Sequence, residues 1–349
     1  MKKKLIAIVV GAAAVMPALA MADVSIYGRA HVSTDFLDDG ADYSETNLSS
    51  NSSRLGFKGE HQINPDLKAF FQIEQQINFS SGSSDGSSSN FSTRDTFVGV
   101  TGNNWGAIQM GRFDSPFKVA RGPANLFGDQ VGDMRNLTRV GDARFDERYD
   151  NTVQYTTPDL NGFNIKLAYS VHEGQSAAQD HDSDGFSVSL NYAAGAFEGA
   201  LAYEKLEEDV SRGERDGIRA AAAYNLTDAF KLVGFYQTVE HDTDDAALRD
   251  RWTSDTYGVG GEYKLTSNTA LKAMWMTRDA DDSDYDADMW VVGVEHKLDK
   301  AVRVYANYAV VDNEAGSTQR PWAEGRSANP GAAAGEEATA FSVGLRYDF

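Results

Sequence analysis

The sequence predicts an all-β chain, a 16-stranded antiparallel transmembrane β-barrel, and three observations predict it. Apolar residues recur with the period-two spacing of a strand along nearly the whole chain after residue 22. Short and long connections alternate between these segments, as in an up-and-down meander with turns on one rim and loops on the other. The rows opposite the apolar ones carry Arg29, Glu74, Gln154, Lys166, Lys231, Lys272 and Arg303, charged and amide groups that no dry sandwich core could bury unpaired.

The elements follow in order. Lys2, Lys3 and Lys4 precede an apolar run from Leu5 to Val15, Pro17 breaks that run, and Ala20-Met21-Ala22 has the small-x-small cleavage pattern. Residues 1–22 are therefore expected to be a cleaved signal peptide and residues 23–349 the barrel domain. The whole chain carries 32 basic and 52 acidic residues, a formal charge of −20; loss of the three leading lysines makes it −23. The first strand places Val24, Ile26, Gly28, Ala30 and Val32 on one face and Ser25, Tyr27, Arg29, His31 and Ser33 on the other. Similar alternation marks about sixteen segments, ending with Phe341, Val343, Leu345, Tyr347 and Phe349. They run roughly 9–11 residues, the length that crosses a bilayer at a tilt. Trp105, Tyr155, Tyr169, Tyr192, Tyr224, Tyr263 and Tyr308 stand at the ends of apolar rows, where barrels place their aromatic girdles. Tight connections such as Asn64-Pro65 and Gly102-Asn103-Asn104 contrast with long polar ones at 35–52, 80–90, 240–254, 279–286 and 310–339.

Several function classes are excluded or disfavoured. The acidic surplus argues against duplex nucleic acid, whose binding depends on basic neutralisation of phosphate. The absence of cysteine removes disulfide scaffolds and thiolate chemistry. No stretch after residue 22 approaches the ~18 apolar residues of a membrane helix. Asp180-His181-Asp182-Ser183-Asp184-Gly185 copies the first half of a calcium loop, but Asn191 stands where a bidentate glutamate is needed. The six histidines have no zinc-protease spacing, His31 and Ser33 face inward by parity, and no phosphate-cradling glycine loop occurs. No enzyme activity, metal centre or cofactor is expected. The acidic runs 242–245 and 279–288 are expected at solvated loop tips, where divalent cations could bridge them to lipopolysaccharide phosphates.

Several motifs carry a family resemblance. Val24-Ser25-Ile26-Tyr27-Gly28-Arg29, Ser53-Arg54-Leu55-Gly56-Phe57-Lys58-Gly59-Glu60, Gly111-Arg112-Phe113-Asp114, Arg148-Tyr149-Asp150-Asn151-Thr152-Val153-Gln154-Tyr155 and Pro158-Asp159-Leu160-Asn161-Gly162-Phe163 resemble, in this order, strands and turns of the Gram-negative outer-membrane trimeric general porins. The terminal Tyr347-Asp348-Phe349 resembles the aromatic C-terminus read by the barrel-assembly machinery. The resemblance implies sixteen strands, a homotrimer in the outer membrane, and passive diffusion of ions and small hydrophilic solutes. It also implies that the second loop could latch a neighbouring subunit.

Between residues 114 and 147 the alternation stops for more than 30 residues, yet Phe117, Leu126, Phe127, Val131, Met134, Leu137 and Phe145 need somewhere to pack. The resemblance implies that this third loop folds into the lumen. It makes Asp129 and Asp133 the acidic candidates at the constriction, with Asp114 and Asp142 as weaker choices. Parity supplies the opposite wall. Arg29 is out of phase with Ile26-Gly28-Ala30, Arg54 with Leu55 and Phe57, and Arg94 with Phe97, while Arg148 shares the phase of Thr152 and Gln154. All four arginines are therefore expected to face water and to set a transverse field against the acidic loop.

The alternative from a different class is a substrate-specific channel with a saturable sugar or small-anion site; an aromatic row or arginine ladder in the lumen would favour it. Tyr27, Tyr305 and Phe235 share the lumen phase without forming a row. A structural adhesin is a third reading. For ion selectivity the arginine wall favours anions and the net charge favours cations. Screening over ~8 Å at physiological ionic strength limits the reach of the loop charges.

Overall fold

The computed structural model describes residues 23–80, 91–171, 184–207 and 213–349. The expected signal peptide, residues 81–90 of the serine-rich loop, and residues 180–183 of the calcium-like motif lie outside these, as do His172 and His181.

Among the described residues, seventeen strand segments form one closed antiparallel sheet. They are β1 (Asp23–Asp38), β2 (Ser44–Ser50), β3 (Arg54–Asn64), β4 (Leu67–Ile77), β5 (Phe91–Gly102), β6 (Gly106–Asp114), β7 (Arg148–Thr156), β8 (Phe163–Ser170) and β9 (Gly185–Ala194). The second half comprises β10 (Phe197–Leu206), β11 (Glu214–Asn225), β12 (Phe230–Asp242), β13 (Ser254–Lys264), β14 (Thr269–Ala280), β15 (Ala287–Lys297), β16 (Val302–Asn313) and β17 (Ala338–Asp348). β2 and β3 are two halves of one stave: both pair with β1, β2 along Val32–Asp38 and β3 along Asp23–Arg29. The barrel thus has sixteen staves. It closes where Arg29 to Asp38 pair with β17, and the Phe349 carbonyl accepts from Gly28 N–H at 2.8 Å. Closure leaves the sheet without an open edge, which the hydrocarbon core demands.

Strand phase agrees with parity over most of the wall. Ile26 and Val98 are 65% and 61% exposed, while the alternate residues His31, Ser33 and Asp35 are buried inside. This is the inside-out pattern of a membrane barrel. The expected long first connection, 35–52, is shorter than the sequence suggested. β1 extends to Asp38 and β2 occupies Ser44–Ser50, leaving 39–43 as the loop. Ser44-Glu45-Thr46-Asn47 has no apolar row, so its polar sequence reads as loop although it pairs with β1.

A second departure concerns the inner face of β11–β16. Ala221, Val233, Phe235, Met274, Met276, Met289, Val291 and Val311 point inward and are buried. Their partner is the third loop, whose Leu126, Phe127, Val131, Met134 and Leu137 form one apolar cluster with them and with Trp322 of the eighth loop, the 314–337 connection between β16 and β17. Each such side chain contributes about 1.5–3 kcal/mol when fully buried. Gly132, at φ +83°, lies so close to Val291 that a Cβ there would collide with it.

The loop's return limb is fixed by charge. Asp146 accepts from Arg219 Nη1 at 2.6 Å and Nη2 at 2.9 Å, and both side chains are fully enclosed. Arg219 also donates to the Phe117 carbonyl at 2.9 Å and lies 4.1 Å over the Phe117 ring. Burial alone would raise the Asp146 carboxyl; Arg219 and Arg121 outweigh it and hold the group far below the usual carboxylate range. Removing one partner of a buried pair costs about 3–5 kcal/mol. Arg219→Ala is therefore expected to lower the temperature at which the detergent-solubilised barrel loses its compact electrophoretic form. The depressed Asp146 group keeps its contribution above its unfolded value and loses it only as pH falls through its folded value. The melting difference between wild type and Arg219→Ala should consequently be about the same at pH 7 and at pH 4.5.

Candidate functional site

The site lies where the third loop meets the wall of β1 and β3–β7. The loop tip 126–129 presents Asp129, at φ +60°, to β1. Its Oδ2 lies 3.4 Å from Arg29 Nη1, and its Oδ1 accepts from Arg135 at 2.8 Å. Burial would raise this carboxyl, but Arg135, Arg54 and Arg29 hold it far below its ordinary range. Asp133 is placed differently. It is fully buried, accepts from the Asp129 N–H at 2.6 Å, and binds Arg135 through both oxygens. Its carboxylate shapes the loop tip and does not face the passage. Asp142 is exposed on the loop, and Asp114 pairs with Lys118 and Arg148 at 2.9 Å each.

On the wall, Arg29 Nε donates to Asp348 at 2.8 Å. Arg54 Nε lies 3.6 Å from Glu74, and Arg94 Nε donates to the other Glu74 oxygen at 2.6 Å. Tyr27 donates to Glu74 at 3.0 Å. One carboxylate thus serves two guanidinium groups. Arg148 donates to Asp95 at 2.5 Å and reaches Asp114. All four arginines meet the lumen, though two arrive there by routes that simple parity does not describe. Phe97 also faces the lumen. A register shift between Ile73 and Gln75 sets two residues, Arg94 and Asp95, opposite Glu74, so both turn inward. A second shift between Gly111 and Phe113 separates the phase of Arg148 from that of Thr152, and Tyr149 beside it is half-buried, donating to Glu204 at 2.8 Å.

The eighth loop, 314–337, was legible only as a long connection, but it enters the mouth of the barrel. Gly132 N–H donates to the Pro321 carbonyl at 2.8 Å, Arg139 pairs with Glu324 at 2.8 Å, and Arg326 forms a buried ion pair with Asp35. Asn51 bridges to Arg326 at the break between β2 and β3. Third loop, eighth loop and wall enclose a cavity of about 610 Å³, lined by eight cationic side chains and three carboxylates. Arg94 and Arg148 come from the wall, Arg135, Arg139 and Lys118 from the third loop, and Arg326 from the eighth. Burial pushes Lys118 down to about 8, with Arg148 and Arg121 acting in the same direction against Asp114.

The acidic residues of the outer rim sit elsewhere. Asp216, Glu240, Asp255, Asp279 and Asp288 share the outward phase of Ile218, Tyr236, Tyr257 and Trp290. Tyr236 donates to Asp255 at 3.0 Å and Tyr257 to Asp279 at 3.1 Å. The lumen is basic where the outer face is acidic.

Glu74→Gln leaves Arg54 and Arg94 without their shared counter-charge, so the reversal potential in a salt gradient should move toward anions. Arg29→Ala and Arg54→Ala should each move it toward cations. Coincident reversal potentials for wild type and all three variants would remove the wall from any part in ion discrimination.

Comparison with known proteins agrees with this architecture. A family model described as Gram-negative porin matches residues 7–316. Outer membrane porin protein 32 of Delftia acidovorans is 30% identical over 365 aligned residues that span both chains completely. Major outer membrane protein P.IB of Neisseria meningitidis serogroup A is 25% identical over 85% of this chain and all of its own length. Among solved structures, an anion-selective porin from Comamonas acidovorans superposes with a TM-score of 0.79 at 24% identity, covering 94% of this chain and 100% of that one. OmpT of Vibrio cholerae gives 0.67 at 20% identity, covering 93% of this chain and 99% of that one. The chain belongs to the Gram-negative porin family and forms an outer-membrane channel for passive diffusion of small hydrophilic solutes.

Proposed function

We propose that the channel prefers anions and that Arg29, Arg54, Arg94 and Arg148 form the basic wall of its constriction, with Asp129 as the acidic group facing them. The observation that carries this reading is the separation of charge. Eight cations against three carboxylates line the lumen cavity, whereas the outer rim displays its acids away from the passage. Low-dielectric walls focus the field of the inward charges, and salt screens the outward ones within about a Debye length. A dipolar solute crossing between Asp129 and the arginines aligns with a transverse field, while an apolar solute must displace ordered water without recompense. Asp133 supports this geometry indirectly, by fixing Arg135 and the Asp129 backbone.

The remaining assignments complete the picture. The mature chain begins at Asp23 after loss of residues 1–22. Three copies associate, as in the trimer form known for OmpT of Vibrio cholerae. Phe349 is the recognition end for barrel assembly. The acidic runs 242–245 and 279–288 take divalent cations that bridge them to lipopolysaccharide phosphates; their place beyond the aromatic rings Tyr236, Tyr257 and Trp290 supports this, since such rings mark the interface level.

Single-channel recording in planar bilayers under a salt gradient tests the main reading. Current in three equal steps with an anion-directed reversal potential is the expected result; a cation-directed potential at high salt would overturn it. Raising pH through about 8 discharges Lys118, whose charge is present below that value and lost above it. Anion preference should therefore decline between pH 7 and 9, and more weakly in Lys118→Met. For these runs, chelator washing should release lipopolysaccharide from the purified channel, and Asp244→Asn with Asp281→Asn should lower the amount that co-purifies.

A further inference from the structure

Below the constriction, on the periplasmic half of the lumen wall, a second cleft of about 390 Å³ is lined by Ser25, Lys58, Phe70, Gln72, Phe97 and Gln109, with Glu60 at its edge. The two phenyl rings are half-buried and leave part of their apolar surface on the cleft wall, where a solute can cover it. Their placement is built into the sheet. Phe70 is the register partner of Gly99, and its ring covers that glycine so closely that a Cβ would meet Phe70 Cζ at 2.5 Å. Phe97 is the partner of Gly111. Phe70 and Phe97 contact edge to face at 6.1 Å, and Phe97 meets Phe113 in the same way at 5.7 Å. The three rings make an unbroken aromatic row across β4, β5 and β6, rising from this cleft toward the third loop.

One cation stands beside the row. Lys58 projects into the lumen, its Nζ 5.2 Å from the Tyr27 ring. The carboxylate at the cleft edge, Glu60, is engaged by Lys68 at 3.1 Å. The cleft therefore combines an ammonium group, two amides and a pair of aromatic faces within a volume typical of small-molecule sites.

Resting on the reading of this chain as an open diffusion channel, we propose that the cleft is a saturable site for aromatic monocarboxylates, with the carboxylate on Lys58 and the ring stacked on Phe70 and Phe97. An aromatic edge set against a phenyl face adds to simple area burial. The arginines of the constriction bring anions to the cleft, and the rings below select among them by shape and apolarity. Binding stays weak, as throughput requires.

The test uses the purified channel in planar bilayers with chloride as the carrier and benzoate as the probe. Benzoate is expected to reduce chloride current in a dose-dependent, saturating manner. Acetate, which has the charge without the ring, and benzyl alcohol, which has the ring without the charge, should leave the current unchanged. Phe70→Gln and Lys58→Gln should each raise the half-blocking concentration about tenfold, the factor that one lost contact of roughly 1.4 kcal/mol produces. Both substitutions lie on the open lumen face, and the unheated electrophoretic form checks their folding. Equal effects of benzoate and acetate would overturn the proposal, as would benzoate block unchanged in both variants. A wild-type barrel that carries no chloride current at all would instead overturn the channel reading beneath it.

Discussion

Every feature of this molecule depends on the requirement that no backbone polar group be left open to hydrocarbon. The chain meets it by closing β1 on β17, with Gly28 and Phe349 completing the seam. Closure creates an interior that the bilayer never touches. That interior can then hold guanidinium groups, a folded loop and water together, a combination that a sandwich of the same strands could not tolerate.

The interior is divided between two tasks. The β11–β16 side is dry and apolar, and receives the third loop as a globular protein receives a core helix. The β1–β7 side is wet and charged. Arg219 and Asp146 mark the border between them. Their buried pairing draws the loop's return limb onto β11, so the tip reaches across toward Arg29. Selectivity at the tip thus depends on packing at the root: the position of Asp129 follows from Phe127, Val131 and Met134 finding their places against Met274, Met289 and Val291.

Much of this was legible in the sequence, for a physical reason. A lipid-facing row must be apolar at every second residue, and that constraint writes itself into Ile26, Val98, Trp290 and Val343 whatever else the strand does. The inner face obeys no such rule. Met274-Trp275-Met276 and Met289-Trp290-Val291-Val292 are continuous apolar runs, and such runs signal a strand buried on both faces; they were the available sign that something apolar occupies the lumen beside them. Local insertions defeat parity altogether. Arg94 faces inward as expected, but Phe97 does so too, because the register shift beside Glu74 offsets the count. Glu74 stood in the polar row without distinction, since no single-strand pattern shows that two arginines from neighbouring strands converge on it. The ingress of the eighth loop left no periodic trace, as Trp322 is a lone aromatic in a segment of mixed composition.

That ingress has an evolutionary consequence. Loops on the outer surface ordinarily drift freely, accepting insertions that alter what the environment recognises. Residues 321–326 have no such freedom. Pro321, Trp322, Glu324 and Arg326 are each tied to the third loop or to β1. A change of sequence in this segment is therefore felt at the third loop and at β1, so the outer mouth and the constriction vary together and not independently.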